Sequence, residues 1–356
     1  MFPYWLLFLA PAWIAITHLR PVQVHGARWA SRWYLMFTLL VLMVGLRYQV
    51  GGDWITYDFY VQRAAQQSLS AVLSQGDPAY EFLNWLTNYI GGGVYFVNFV
   101  CALLFTWGLL AFCRTQPRPW LALVVAMPYL VTVVAMGYTR QATAIGLAML
   151  ALVALADRKI LRFAIFIVLA AMFHKTAVIL MPLAVLASTR RRLWTIFWIG
   201  VSTYLAYVLL LQDAVQGLEA DYLGARYDSS GAAIRVAMNA VPAAIFLLFR
   251  RRFILPAADR AFWTWMSIGG LVFIPLLLAS PSSTAVDRVA LYWIPLQLYV
   301  LSRLPDALGR HGGANAVWVL LIVGYSVLVL LVWLFFAQTA FAWLPYQFYP
   351  FVALGQ

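Results

Sequence analysis

Continuous apolar runs recur along almost the whole chain, and no other feature narrows its fold as far. They fall near residues 2–19, 31–48, 94–113, 119–136, 140–156, 160–172, 175–188, 193–211, 236–249, 262–279, 288–303 and 315–338. Inside a bilayer every backbone polar group must be satisfied by the spanning element itself, so that element is a helix of roughly 20 apolar residues or a strand of a closed barrel. The runs are unbroken rather than alternating, which selects helices. The expectation is therefore an all-α polytopic membrane protein with about eleven to thirteen transmembrane helices. Composition agrees: 64% of the 356 residues are hydrophobic and 10% are charged, against about 25% charged in a soluble domain.

No polar linker, low-complexity tract or internal repeat divides the chain, so residues 1–356 read as one integral domain. Within it, 49–93 reads as an outer re-entrant or amphipathic segment and 212–235 as an outer loop. The run from 160 to 188 is either a helical pair or one broken segment, with FHKTA at 173–177 marking the break. The first span has no basic residue before it and no small-residue cleavage site, so it is expected to remain in the protein.

Orientation follows from the basic residues, which concentrate in cytoplasmic loops. Placing both termini outside puts 17 of the 24 lysines and arginines inside, including the runs at 190–192 and 250–252, while nine of the twelve acids lie outside. The net charge of +12 then reflects insertion topology and contact with anionic lipid, not nucleic-acid binding. No charged residue falls near the middle of a span. Ion-driven transporters usually carry ionisable groups there, so transport is disfavoured.

The same orientation collects several polar segments on the outer face. They are GLRYQVGGDWITYDFY (45–60), DPAYEFLNW (77–85), GYTRQATA (137–144), FHKTA, the loop from Asp213 to Arg235, and AVDRVALYW (285–293). Each has an ordinary structural explanation. Arg47 and Arg140 can snorkel at span ends. The glycines of VGGDW can stop a helix, and Asp53 can cap the following segment, where it shares a face with Tyr57 at i, i+4. Asp287 can pair with Arg47 or Arg140. Beside Lys175, His174 should have a lowered pKa unless a carboxylate offsets it. Yet five separate segments bring cations and carboxylates to one surface, and several guanidinium forks suit a ligand with two or more negative charges, such as a diphosphate.

Other chemistries find no support. Cys101 and Cys113 lie about 18 Å apart on one helix and cannot pair with each other. His18, His25 and His311 fall inside and His174 outside, so no zinc cluster forms. No serine-hydrolase elbow, phosphate-binding loop or dinucleotide fingerprint occurs. What remains is an outward-facing cationic site with a few carboxylates and one histidine, roofed by aromatics that include Trp54, Tyr57, Trp85, Tyr89, Tyr138, Tyr292, Trp343 and Tyr346. Aromatic rings can stack on sugars or belt the interface. The description fits a polyprenyl-diphosphate-linked sugar.

YWLLFLAPA, GLRYQVGGDWITY, GYTRQATAIGLAMLAL, FHKTAVILMPL, DRVALYWIPLQ and WLPY together resemble the EpsG family of Wzy-like exopolysaccharide polymerases, nearly end to end. Where family members often carry serine in the FHKS element, this chain has Thr176, which keeps the hydroxyl. The resemblance implies a multi-pass glycosyltransferase of the bacterial inner membrane with a C-type glycosyltransferase-like fold. It implies transfer of a growing glycan from undecaprenyl diphosphate to the non-reducing end of another lipid-linked repeat unit, with no nucleotide sugar, cofactor or metal. Donor and acceptor lipids, the bilayer, and chain-length-regulating and export proteins are the implied partners.

On this reading Arg47, Arg140 and Arg288 meet the diphosphate with Lys175 in support. His174, Asp53 and Asp287 compete as general base, His174 being preferred because an unperturbed imidazole titrates near neutrality. Trp54, Tyr57, Tyr292, Glu81 and Gln141 are the expected glycan contacts. A lipid-linked glycan ligase shares the cationic site; a flippase would need a charged central cavity and preferably repeats. A purely structural export subunit would be indifferent to changes at the three arginines, and an acyltransferase would usually want a deeper or cytoplasmic histidine.

Overall fold

A computed structural model describes residues 1–22, 30–182, 231–280 and 282–354, and between them Leu193, Trp194, Phe197, Gly200, Val201 and Tyr204. The helices in chain order are α1 (Phe2–Thr17), α2 (Ser31–Gly45), α3 (Trp54–Ala64), α4 (Leu69–Leu73), α5 (Pro78–Ile90), α6 (Gly93–Arg114), α7 (Pro119–Ala126), α8 (Thr139–Ala156) and α9 (Ile160–Phe173). After them come α10 (Ala232–Phe249), α11 (Ala257–Ala279), α12 (Ser283–Ala290), α13 (Ile294–Leu308), α14 (Ala316–Phe336) and α15 (Tyr349–Leu354). Among the described residues there is no β-strand, only one isolated bridge between Arg47 and Phe348. The protein is all-α and polytopic. Among the described residues five helices, α6, α8, α10, α11 and α14, are long and apolar enough to cross a membrane, and α1, α2, α9 and the segment Pro119–Ala135 are shorter apolar helices. Most of the expected span at 193–211, the end of the one at 175–188 and most of the expected loop at 212–235 lie outside the described residues.

Helix α8 is the centre. Its sequence TRQATAIGLAMLALVALA is apolar and small on every side, and nearly every residue from Thr139 to Leu155 is buried; a helix apolar all round must be enclosed by others. It crosses α6 where Gly108 meets Gly146 so tightly that a Cβ on Gly108 would lie 1.8 Å from the Gly146 carbonyl oxygen. Small residues at a crossing let two membrane helices approach backbone to backbone.

Three expected spans are not regular. α7 continues as a π-helix over Met127–Ala135. There the Thr132 hydroxyl donates to the Met127 carbonyl at 2.9 Å, and the Thr132 carbonyl accepts the Trp343 indole N–H at 2.8 Å, contacts that compete with the α-helical ladder. α9 ends at FHKTA: His174 is extended at φ −159°, ψ 108°, and a 3-10 turn follows over Lys175–Leu180. The stretch 288–303 is the end of α12, a 3-10 turn Leu291–Trp293 and the start of α13. The segment 49–93 forms α3, α4 and α5, which gather at the bundle end where α2 and the Pro119–Ala135 segment finish and α8 begins.

The C-terminal segment seals that end. The Tyr4 hydroxyl donates to the Trp343 carbonyl at 2.6 Å and the Tyr346 hydroxyl to the Met43 carbonyl at 2.8 Å. Gly51, at φ +107°, passes so close to Met136 that a Cβ would lie 2.2 Å from its carbonyl oxygen, which leaves room for glycine alone. At the opposite end Arg118 grips Asp306 through two bonds of 2.9 and 2.8 Å and also donates to the carbonyls of Leu19, Gly313 and Ala314. Arg303 donates to Gln116 and lies 3.8 Å from the centroid of Tyr299. These two basic residues are structural as well as topological.

Candidate functional site

Asp77 organises the site. It precedes Pro78, the first residue of α5, a position where an acid often caps the helix; here the side chain makes no cap bond. One carboxylate oxygen instead accepts from the Arg140 guanidinium at 2.9 Å and the other from the Lys175 backbone N–H at 3.1 Å. One acid thus joins α5, the first turn of α8 and the break after α9. Burial pushes its pKa up, while Arg140 and the Lys175 N–H pull it down. The Arg140 guanidinium lies 5.4 Å from the Tyr60 ring centroid and 5.7 Å from that of Tyr80, so aromatic faces as well as the carboxylate hold it.

The break after α9 delivers His174 beside Thr176 and Tyr292. Its Nδ1 lies 2.6 Å from the Thr176 hydroxyl and 3.1 Å from the Tyr292 hydroxyl. Burial, with the charges of Arg140 and Arg288 adding to it, lowers the imidazole pKa to about 3, so the ring is neutral at physiological pH. Thr176 also donates toward the Tyr292 oxygen at 3.5 Å. In the tautomer with Nδ1–H donated to Thr176, the hydroxyls form a relay and Nε2 keeps its lone pair; in the other tautomer Nε2 is a donor.

Arg288 enters from α12. Its guanidinium lies 4.8 Å from the Tyr138 ring centroid, its carbonyl accepts the Gln141 amide N–H at 2.5 Å, and it forms no ion pair with a carboxylate among the described residues. Asp53 completes the group. It occupies the N-cap position of α3 without capping it, and its carboxylate accepts from Tyr57 at 3.5 Å, the i, i+4 pairing expected from sequence. Burial raises the Asp53 pKa, and Arg288 and Arg140 oppose the rise. Asp53, Arg140, Arg288 and His174 therefore share one electrostatic field, with Lys175 at its edge.

Other expected site residues have other work. Arg47 is 1% exposed and its donors are engaged with the carbonyls of Val50 (3.1 Å) and Val44 (2.5 Å), Asn98 Oδ1 (3.4 Å) and Thr139 Oγ1 (2.7 Å). It locks the end of α2 to α6 and α8. Asp287 pairs with neither Arg47 nor Arg140, because Arg235 lies closer and grips it with bonds of 2.6 and 2.8 Å. Glu81 pairs with Arg63 at 3.3 Å. Trp54, Tyr57, Tyr292 and Gln141 are all buried. Packing on Tyr95 and Tyr60 and the polar contacts above engage the three aromatics, so they present no open face to a sugar; Gln141 donates to Arg288 while its buried Oε1 has no hydrogen-bond partner among the described residues.

Sequence reasoning missed Asp77 and Arg235 as site residues, and named Tyr138 only as a roofing aromatic and Thr176 only as the counterpart of a family serine. An acid directly before a helix-opening proline was the available signal for Asp77; nothing local marks Arg235. Among the described residues no three His, Cys, Asp or Glu side chains converge as metal ligands.

A family model described as EpsG family, a Wzy-like polymerase family, matches residues 32–348, nearly the whole chain. No curated protein and no solved structure matches it.

Proposed function

From the premise that the chain belongs to the EpsG family, we propose that it polymerises undecaprenyl-diphosphate-linked oligosaccharide repeat units into an exopolysaccharide. By the positive-inside rule the site end faces the periplasm of a bacterial inner membrane, which also puts both termini there. What supports the reading is that Asp77 ties Arg140 at the start of α8 to the break that carries His174, while the Arg288 carbonyl accepts from Gln141, the residue after Arg140.

In the proposed reaction a hydroxyl of the acceptor repeat unit attacks the anomeric carbon of the donor glycan. The new glycosidic C–O bond forms as the bond to the diphosphate breaks, and the electron pair leaves with undecaprenyl diphosphate. Charge develops on that leaving group, and preorganised cations aimed at developing charge are the most effective catalytic device available to such a site. Arg288 and Arg140 hold the diphosphate, with Lys175 beside them. The hydroxyl proton goes to His174 Nε2 or to Asp53. A diphosphate between the two arginines offsets the charges that depress His174, so the substrate itself raises the basicity of the imidazole. Arg47 and Asp77 act as positioning residues.

The test is a purified lipid-linked repeat unit incubated with reconstituted protein, with EDTA present and no nucleotide sugar, read as a glycan ladder. The wild type should give a ladder and Arg288→Ala single units. Wild-type transfer of one unit to a different acceptor would make the protein a ligase, and movement of the unit across the bilayer without chemistry would make it a flippase.

A further inference from the structure

An apolar space among the described residues begins beside the charged site and runs away from it. A groove of about 720 Å³ lies between α10 and α14, walled by residues such as Met238, Val241, Ile245, Leu321, Leu328 and Phe336. At one end stand Gly231, Arg235 and Thr339; at the other, Leu304 and Trp318. Its flanks open sideways to the surroundings of the bundle, since Ile234, Val241, Leu321 and Leu328 are 61%, 57%, 58% and 57% exposed. The stretch of α10 that lines it, Gly231 to Ile245, is about 21 Å long, and the stretch of α14, Trp318 to Phe336, about 27 Å. The groove therefore covers most of a hydrocarbon core of roughly 30 Å.

Where the groove ends decides its occupant. Arg235 is both a wall residue of the groove and the partner of Asp287, and Asp287 is the neighbour of Arg288. Tyr129, Arg235 and Met238 wall the groove and also line a small cleft with Asp287 and Ala290 of α12, so a molecule whose anionic head sits at Arg288 and whose single tail is apolar has the Arg235–Asp287 pair between its head and the groove. A phospholipid carries two tails and a single phosphate, whereas one groove and two neighbouring guanidinium groups suit one tail and a diphosphate. We infer that the groove between α10 and α14 seats the isoprenoid tail of the polyprenyl diphosphate, with the Arg235–Asp287 pair at the junction of tail and head. The inference rests on the proposed function for its ligand. It adds that the tail leaves the charged site by one defined lateral route, with the units nearest the diphosphate held by protein.

A diazirine-bearing undecaprenyl diphosphate, photoactivated with the full-length protein in phosphatidylethanolamine–phosphatidylglycerol vesicles and mapped by peptide mass spectrometry, tests this. Label should fall in 232–249 and 316–336 and be competed by unlabelled undecaprenyl diphosphate in the presence of the same excess of phospholipid. Val241→Trp and Leu328→Trp fill the groove from lipid-exposed positions, where a larger side chain leaves the core intact. Each should lower labelling roughly tenfold, the equivalent of losing contact with a few buried carbons. Label elsewhere, label that does not compete, or label indifferent to both substitutions overturns the groove. The proposed function fails separately: labelled groove helices in a protein that builds no glycan ladder would leave the tail site standing and remove the polymerase reading. A ladder from a protein labelled only elsewhere would do the reverse.

Discussion

Replacing Arg288 by alanine should weaken diphosphate binding more than replacing Arg140, although Arg140 has the more elaborate surroundings. The reason is the net charge each offers. Arg140 already faces Asp77 at 2.9 Å, so an approaching phosphate meets something closer to a dipole than a cation. Arg288 lies over Tyr138 and forms no ion pair with a carboxylate among the described residues. Two unit charges 4 Å apart at an effective dielectric near 20 interact by about 4 kcal/mol. Partial exposure of Arg288 reduces this to about 2–3 kcal/mol, or roughly 30- to 150-fold in Kd. Asp77 offsets most of the corresponding contribution of Arg140, leaving about 1 kcal/mol, roughly fivefold. The assay is displacement of a labelled diphosphate by inorganic pyrophosphate from purified protein, at low salt and at about 0.15 M, where exposed charges are partly screened. The Arg288→Ala deficit should shrink with salt. A larger deficit for Arg140→Ala, or one at Arg288 that ignores salt, would refute the reasoning.

His174 should remain neutral in the ligand-free protein well below pH 5, because its pKa is lowered to about 3 from 6.5. Between those values the unfolded chain binds a proton that the folded one does not, so the stability this group contributes is complete above about pH 6.5 and is lost as pH falls toward 3. Carbon NMR of labelled histidine, with only four histidines in the chain, should show no His174 titration near pH 6.5; its pKa should rise on adding pyrophosphate or in Arg288→Ala. Asp77→Asn should cost about 1–3 kcal/mol, since it breaks a charged pair and turns an amide N–H₂ toward a donor, yet pyrophosphate binding should hold or tighten as Arg140 is released. Arg47→Lys should lower the thermal midpoint about as much as Arg47→Ala, because one ammonium cannot replace a fork reaching α2, α6 and α8; a stable Arg47→Lys protein that only loses pyrophosphate affinity would place Arg47 in the binding site. Gly146→Ala should destabilise by about 1–3 kcal/mol, because its Cβ would lie 2.5 Å from the Phe105 Cα, whereas Gly324→Ala, with nothing within 4 Å, should not.

Much of the backbone was legible in the sequence. Unbroken apolar runs give helices whatever their neighbours, the break at FHKTA and the glycine turn at Gly51 follow from local residues, and the pairing of Asp53 with Tyr57 follows from helical spacing. The glycine at 146 looked like any small residue, and only the facing Gly108 makes it a crossing point. Nor does hydropathy distinguish the π-helix at Met127–Ala135 from an ordinary span, because the tryptophan that engages its carbonyl lies 211 residues away.

The charged residues divide along the same line. Apolar length and the distribution of arginine determined by themselves that this is a polytopic helical protein with a cluster of polar groups at one end, because those properties depend on each segment alone and on the membrane as solvent. Which arginine is available to a ligand depended on the tertiary structure: Arg47 is consumed by four protein oxygens, Arg140 is shared with Asp77, Arg235 takes Asp287, and Arg288 is left over a tyrosine ring. Apart from the carbonyls of Val44 and Val50, these partners lie 51 to 150 residues away in the chain. The strength of a charge interaction is set by distance and burial, and helix packing fixes both.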